Sequence, residues 1–529
     1  MRPIPLPTFK TWVPDYLIRI TIFLLLFPAL AVFAFYYSNA LETMSYYGIE
    51  AADVQYSVLL MYGALVCFLP LDDRLVKYFS LHQYLILGVT INAITYIICA
   101  LTRDLAVLLL CRFIQGIVCA LFCSICLNLM FPRFQAARAR VLGYTIFYGT
   151  LLVCVPLCAI LCSYILQSFS FEFLWYVLIL CQIPGTVLLL FTTNNIHLKP
   201  RLPLYQVDWI SYIYFSIIIC SIGYIFVYGQ KFNYLEDTLI QGLTGITLVS
   251  LVLFVLRQQR LKRPFIHLGV FRYKDFCLGI LLLMVYYFFK GTTGFAYTYL
   301  QTSLDVESIH LTPIYISNLS GTFLGLLITS RLLLQGTAIK QLVLGGFGLL
   351  LIYHIQVYFL FSSQGDPNHF ILPFFIQGMA LAALHIPLIV YTVASIPPAI
   401  ANAVSFLGIS FRFLSFSVTI GLTNYFQLFN KSVHYNRTAD YISSINPLND
   451  QTLQHFHQQV ISDGKDSALG MQLATKLYNN HIIQQINARA SMDFYSWAIL
   501  GLLGVILVVL LSKPTKKILA RLSKNFIPY

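Results

Sequence analysis

The chain has 529 residues, of which 58% are hydrophobic and only 10% charged, a composition that excludes a soluble globular domain and identifies an integral membrane protein. Its net charge of +13 is dealt out between apolar runs and not pooled in a tail, so it is an orientation signal and excludes a nucleic-acid-binding arm. All twelve cysteines lie within or at the edges of apolar runs, which excludes a disulfide scaffold.

Met1 to Asp15 is short, bears prolines and runs directly into an apolar stretch, so no cleavable signal peptide is expected. Fourteen runs of spanning length follow, at residues 17–38, 54–71, 83–101, 105–130, 141–166, 172–192, 209–228, 238–256, 277–300, 312–333, 341–361, 370–392, 401–427 and 494–512. About twenty apolar residues of helix cross a hydrocarbon core of roughly 30 Å. Barrel strands would be about ten residues long and alternating, so the fold class is an all-α integral membrane protein with fourteen transmembrane helices. With the N-terminus inside, twenty-three of the thirty-three Lys and Arg fall on short cytoplasmic segments, whereas the short outer loops hold only Arg103 and Lys231. Both termini are therefore expected in the cytoplasm. The thirteenth and fourteenth spans are separated by a long outer loop, 430–493, expected to form a partly helical cap.

Three spans carry buried cations. In the fourth, Arg112, Gln115, Cys119, Cys123 and Cys126 share one helical stripe. An arginine in a bilayer costs about 2.5 to 3.5 kcal/mol on insertion scales, so it must face protein or water. In the ninth, Tyr286, Lys290, Thr293, Tyr297 and Gln301 share a face, and in the thirteenth Arg412 lies on a stripe with Ser405, Gly408, Ser415, Thr419 and Thr423. Acids are nearly missing from the spans, since Glu42, Asp53 and Glu172 lie at outer ends. Three buried cations without a buried carboxylate point to an anionic or electron-rich substrate group. The alternative is that Arg112 and Arg412 bond backbone carbonyls and never meet substrate. His385 and His354 are candidates for proton coupling, because histidine changes charge between about pH 5 and 8. The cysteine rows on the fourth and fifth spans are read as small-residue helix contacts, and no metal site is expected. No HExxH, GxSxG, phosphate loop or paired buried carboxylate occurs, so no catalytic residues are assigned.

The order of motifs resembles the major facilitator superfamily, in particular its fourteen-helix drug:proton antiporter (multidrug efflux) branch. Leu71-Asp72-Asp73-Arg74-Leu75-Val76-Lys77 resembles the loop G-x-L-A-D-R-x-G-R-K between the second and third spans, and Arg112 to Gly116 resembles R-x-x-Q-G. Val207-Asp208-Trp209 opens the seventh span as the D-W pair of the branch does, and Arg263 to Phe271 resembles its P-l-i-d-L-x-l-F loop. The resemblance implies two six-helix bundles plus two inserted helices, with domains at 1–192, 193–262 and 263–529 and a basic cytoplasmic tail. It implies alternating access around a midplane cavity and a proton gradient in place of any cofactor. The substrate cavity is expected to use Arg112, Gln115, Tyr286, Lys290, Thr293, Tyr297, Gln301 and Arg412. Asp73, Arg74 and Lys77 are expected either to latch one conformation or simply to anchor the inner face. The implied function is proton-driven efflux of small amphiphilic organic compounds across a bacterial inner membrane, with a periplasmic adaptor and an outer-membrane channel as candidate partners. An organic-anion uptake permease is the alternative, and a membrane-embedded transferase a weaker one. Two departures stand out: Val155 to Ile160 keeps only the proline of the branch's G-P-x-x-G-G run, and apolar Phe33 stands near the place of the first span's acid.

Overall fold

Apolar runs that must bury every backbone polar group have one solution in lipid, the helix, and the computed structural model is built from helices. It describes residues 8–75, 78–131, 136–196, 208–261, 264–362, 365–397, 401–441, 447–462 and 467–512. The elements are α1 (Asp15–Ser38), the short α2 (Ala40–Tyr47), α3 (Ala51–Leu75), α4 (Leu81–Leu101), α5 (Leu105–Met130), α6 (Ala136–Ser168), α7 (Phe173–Thr192), α8 (Trp209–Tyr228) and α9 (Thr238–Arg260). They continue as α10 (Lys274–Gly291), α11 (Thr293–Thr302), α12 (Thr312–Leu334), α13 (Ile339–Leu360), α14 (Ile371–Ala394), α15 (Ala401–Tyr441), α16 (Pro447–Ser462) and α17 (Ser467–Leu511). Among the described residues, fourteen helical segments are long and apolar enough to cross a membrane, one for each run read from the sequence. Large apolar side chains stay exposed all round, Leu101 and Phe359 at 75% and Leu511 at 76%. That is the surface of a body solvated by lipid.

The helix starts are written locally. Ser80 opens α4 with a capping box to Gln83, and Asp104 and Asp237 cap α5 and α9 through their first backbone N–H groups. In the first bundle α5 packs on α1, α3 and α4; in the second α14 packs on α10, α12 and α13. The inserted α8 and α9 pack on each other, and α8 also meets α3 and α15. Close approach depends on small residues: a side chain on Gly116 would strike the Met61 carbonyl of α3, and one on Gly378 the Asn318 carbonyl of α12.

Asp208 joins the start of α8 to the end of α9. Its carboxylate caps Ser211, accepts from the Ser211 hydroxyl at 2.5 Å and pairs with Arg257 at 2.8 Å, while Gln258 donates to the same hydroxyl at 2.8 Å. Burial pushes this carboxyl up, but the bonds from Arg257 and Ser211 outweigh it and hold the group below its ordinary value. The stabilisation is therefore complete above the ordinary carboxylate pKa of about 4 and is lost as pH falls through the lower, folded value. Asp208→Ala should destabilise the protein by about 1 to 3 kcal/mol. Its melting gap to the unaltered protein should stay constant from pH 8 down to about 5 and shrink below about 4; a gap that widens in acid would contradict the pairing.

One expectation is corrected. The ninth span is not one helix: α10 ends at Gly291 and α11 starts at Thr293. The Thr292 hydroxyl bonds the Phe289 carbonyl at 2.7 Å and His354 Nε2 at 2.9 Å, and Tyr495 donates to the Thr292 carbonyl at 3.4 Å, so neighbouring helices satisfy the break. The segment 430–493 is partly helical, as expected: α15 continues to Tyr441, α16 packs against α17, and α17 begins at Ser467. His434 meets Asp493 at 2.7 Å and Asn430 donates to the Ala490 carbonyl at 3.4 Å, pairing the two helices beyond their apolar stretches. Lys77, Arg133, Lys199, Arg201, Lys262, Arg263 and the basic tail lie outside the described residues, as do the side chains of the latch residues Asp73 and Arg74.

Candidate functional site

The two halves enclose a cavity of about 860 Å³, walled by α1, α3, α5 and α6 on one side and by α10, α11, α14 and α15 on the other. Lys290, Arg412 and Lys431 line it, and no Asp or Glu does among the described residues. Aromatic rings are set among aliphatic side chains on the rest of the wall. Phe33 of α1 faces Tyr62 of α3 at 5.9 Å and Phe416 of α15 at 6.3 Å between ring centroids, and Tyr62 meets Phe413 at 5.6 Å. Phe33 thus puts a ring near the place where the resemblance implies an acid.

Lys290 stands in the last turn of α10, where the carbonyl end of the helix favours a cation. Its Nζ lies 5.4 Å from the centre of the Tyr287 ring and has no ion-pair partner among the described residues. Arg412 is 5% exposed; its Nε donates to the Gly408 carbonyl at 3.0 Å and its Nη2 to the Tyr148 hydroxyl at 3.3 Å, with the guanidinium 5.2 Å from the Tyr148 ring. It therefore bonds a backbone carbonyl and also reaches the cavity. A polar chain runs along the same side of the cavity through α12, α14 and α11: Asn318 donates to Gln377, and Gln377 Nε2 donates to Thr293 at 2.8 Å.

Of the residues expected in the cavity, Lys290, Thr293, Tyr297, Gln301 and Arg412 line it. Tyr286 does not: it is fully buried against His385 and the Leu381 carbonyl, and Tyr287 lines the cavity in its place. Tyr286, Tyr287 and Lys290 all belong to α10, which turns the Tyr287 and Lys290 side to the cavity and packs Tyr286 on α14 through His385 and the Leu381 carbonyl. Arg112 and Gln115 are also outside the lining. Both are buried within the first bundle, where Arg112 Nη1 donates to Gln115 at 3.0 Å and to the Val32 carbonyl at 3.4 Å. Only the Cys119 and Cys123 part of their stripe reaches the cavity.

The two histidines also differ. His354 clasps the break through Thr292 and bonds the Leu350 carbonyl at 2.8 Å, in the core of the second bundle. His385 is one ring away from the cavity, with its imidazole 4.9 Å from the Tyr148 ring, its Nδ1 3.1 Å from the Tyr286 hydroxyl and its Nε2 unpartnered among the described residues. Tyr62, Tyr148 and Tyr287 were not singled out from the sequence. Thirty-five tyrosines are scattered through the chain, and only their grouping around Arg412, from both sides of the cavity, separates these three.

The geometry can receive an aromatic or amphiphilic guest, with two cations side by side for a negative group. A model of the Major Facilitator Superfamily matches residues 21–420. Similar curated proteins include the probable multidrug resistance protein EmrY of Escherichia coli, 24% identical over 464 residues that cover 84% of this chain and 85% of that one. The multidrug export protein EmrB of Escherichia coli is 22% identical over 362 residues, 66% of this chain and 68% of its own. A POT family transporter in complex with 5-aminolevulinic acid superposes with a TM-score of 0.58 at 14% identity, over 79% of this chain and 92% of that one. The nucleoside transporter NupG superposes with a TM-score of 0.52 at 14% identity, over 94% and 100%.

Proposed function

The chain belongs to the Major Facilitator Superfamily, and from that premise we propose that it exports small amphiphilic organic compounds, anionic ones above all, by alternating access driven by the proton gradient. The observation that carries this reading is a cavity holding Lys290 and Arg412 among aromatic walls without a carboxylate among the described residues. Relatives named for multidrug export support the direction. In this reading the bundles 1–192 and 263–529 rock about the cavity while α8 and α9 move as an insert. The membrane in this reading is the bacterial inner membrane, and the Lys and Arg distribution supports cytoplasmic termini. The helical pair α15 and α17 then projects on the periplasmic side, where an adaptor leading to an outer-membrane channel would meet it.

His385 is the coupling group of choice over His354, because only Tyr148 and Tyr287 separate it from the cavity. Asp73, Arg74 and Lys77 keep their proposed role as an inner-face latch. One observation favours the organic-anion uptake permease as a second reading. Antiport requires substrate and proton to compete, and a cationic cavity without a carboxylate gives an anion and a proton no shared group to compete for.

Everted and right-side-out vesicles loaded with an anionic aromatic dye separate the two. Acidification of everted vesicles should drive dye accumulation inside them; accumulation confined to right-side-out vesicles would overturn export and establish uptake. A covalently altered dye would be the mark of the weaker reading, a transferase.

A further inference from the structure

Behind the cavity wall, Arg112 is fully buried in the first bundle. One of its terminal nitrogens is satisfied: Nη1 meets the Val32 carbonyl and Gln115. Its Nε and Nη2 are buried without a hydrogen-bond partner among the described residues. Those two nitrogens form the side-on edge of a guanidinium, whose parallel N–H bonds converge on a single acceptor. The plane of the group rests on the Tyr36 ring, 4.0 Å from its centre, which offsets part of the charge and leaves the edge unbonded.

The surroundings specify what could bond it. The charged and titratable groups nearest the guanidinium are Tyr36, Cys99, Tyr96 and Tyr47, with no carboxylate among them. Of the acids on adjoining segments, Glu42, Glu172, Asp72 and Asp53 accept from Ser308, Tyr46, Tyr84 and Tyr228. Trp175 packs on Tyr36 and Tyr96 at 5.3 and 5.8 Å between ring centroids.

We propose that the Nε and Nη2 edge of Arg112 binds a small monovalent inorganic anion of the chloride and bromide class, at a site separate from the substrate cavity. One cation calls for one negative charge, aromatic edges carry the positive end of the ring quadrupole, and the enclosing rings disfavour a bulky or doubly charged oxyanion whose remaining oxygens would go unbonded. A buried guanidinium left unneutralised is strongly destabilising, so the ion acts as part of the fold of the first bundle. The inference does not depend on what the cavity carries.

The test is thermal unfolding of the purified full-length protein in detergent, followed with a thiol-reactive fluorophore that reports exposure of the buried cysteines, in sodium chloride against sodium gluconate at equal ionic strength. Chloride and bromide should raise the melting temperature saturably, and gluconate and sulfate should not. The response should disappear in Arg112→Gln and persist in Lys290→Ala and Arg412→Gln. If Arg112→Gln does not accumulate, Arg112→Lys keeps the charge but loses the two-pronged edge, and should raise the half-saturating chloride concentration about tenfold. Equal melting of the unaltered protein in chloride and gluconate would overturn the proposal. So would an unchanged response in the Arg112 variants, or a response that vanishes with the cavity cations.

Discussion

Lys290→Ala should reduce transport of anionic substrates to background while the protein still inserts and melts normally. A desolvated contact between a cation and an anionic guest is worth about 2 to 5 kcal/mol, and every 1.4 kcal/mol is about tenfold in binding. The folded protein loses little, because Lys290 has no ion-pair partner among the described residues for its removal to orphan. Arg412 differs on this point: Arg412→Gln also frees the Tyr148 hydroxyl and the Gly408 carbonyl, so it should lower both transport and melting temperature. Vesicle uptake measured beside melting separates the two effects. Transport by Lys290→Ala at the unaltered rate would remove this residue from the substrate site.

Gly378→Val should prevent the second bundle from closing. An added Cβ would run into the Asn318 carbonyl, and it would lie 2.8 Å from the Thr322 hydroxyl and 2.9 Å from the Thr322 backbone nitrogen. Backbone atoms cannot swing aside as a side chain can, so α12 and α14 must part. Overpacking costs about 1 to 3 kcal/mol at a typical core position, and here separation also breaks the chain from Asn318 through Gln377 to Thr293. The expected result is loss of monodisperse protein on size exclusion. Gly345→Ala in α13 is the matched control, because nothing lies within 4 Å of its added Cβ. It should leave yield unchanged and add about 0.5 to 1 kcal/mol through helix propensity. Equal yields from Gly378→Val and Gly345→Ala would show that the α12–α14 seam tolerates separation.

The spans were legible because lipid imposes a length and a hydrophobicity on each of them. The ends of α15 and α17 were not, because hydropathy reports where lipid stops and not where a helix does. Past Gln427 the residues turn polar, yet no proline interrupts them before Pro447, and the pairing of His434 with Asp493 holds the continued helices together. The cavity cations were legible in part. Lys290 and Arg412 could be picked out as isolated charges in apolar runs, but the same rule selected Arg112, and whether a buried cation meets a cavity or an internal box depends on the neighbouring helix. Tyr36 of α1 decides it for Arg112: its ring carries the guanidinium and it is itself part of the cavity wall. The break at Thr292 left little trace, since Gly291 and Thr292 are ordinary inside a membrane helix, and the partners that make the break affordable, His354 and Tyr495, lie far away in the chain.

The 45 residues of α17 make a rod about 67 Å long, more than twice the roughly 30 Å of hydrocarbon it has to cross. No joint interrupts it, and α15 runs alongside as a brace. A tilt of about ten degrees in the second bundle would sweep the far tip, about 37 Å beyond the hydrocarbon, through roughly 6 Å. In the rocking proposed above, the rod would serve as a lever that carries a small rearrangement around the cavity, enlarged, to its tip.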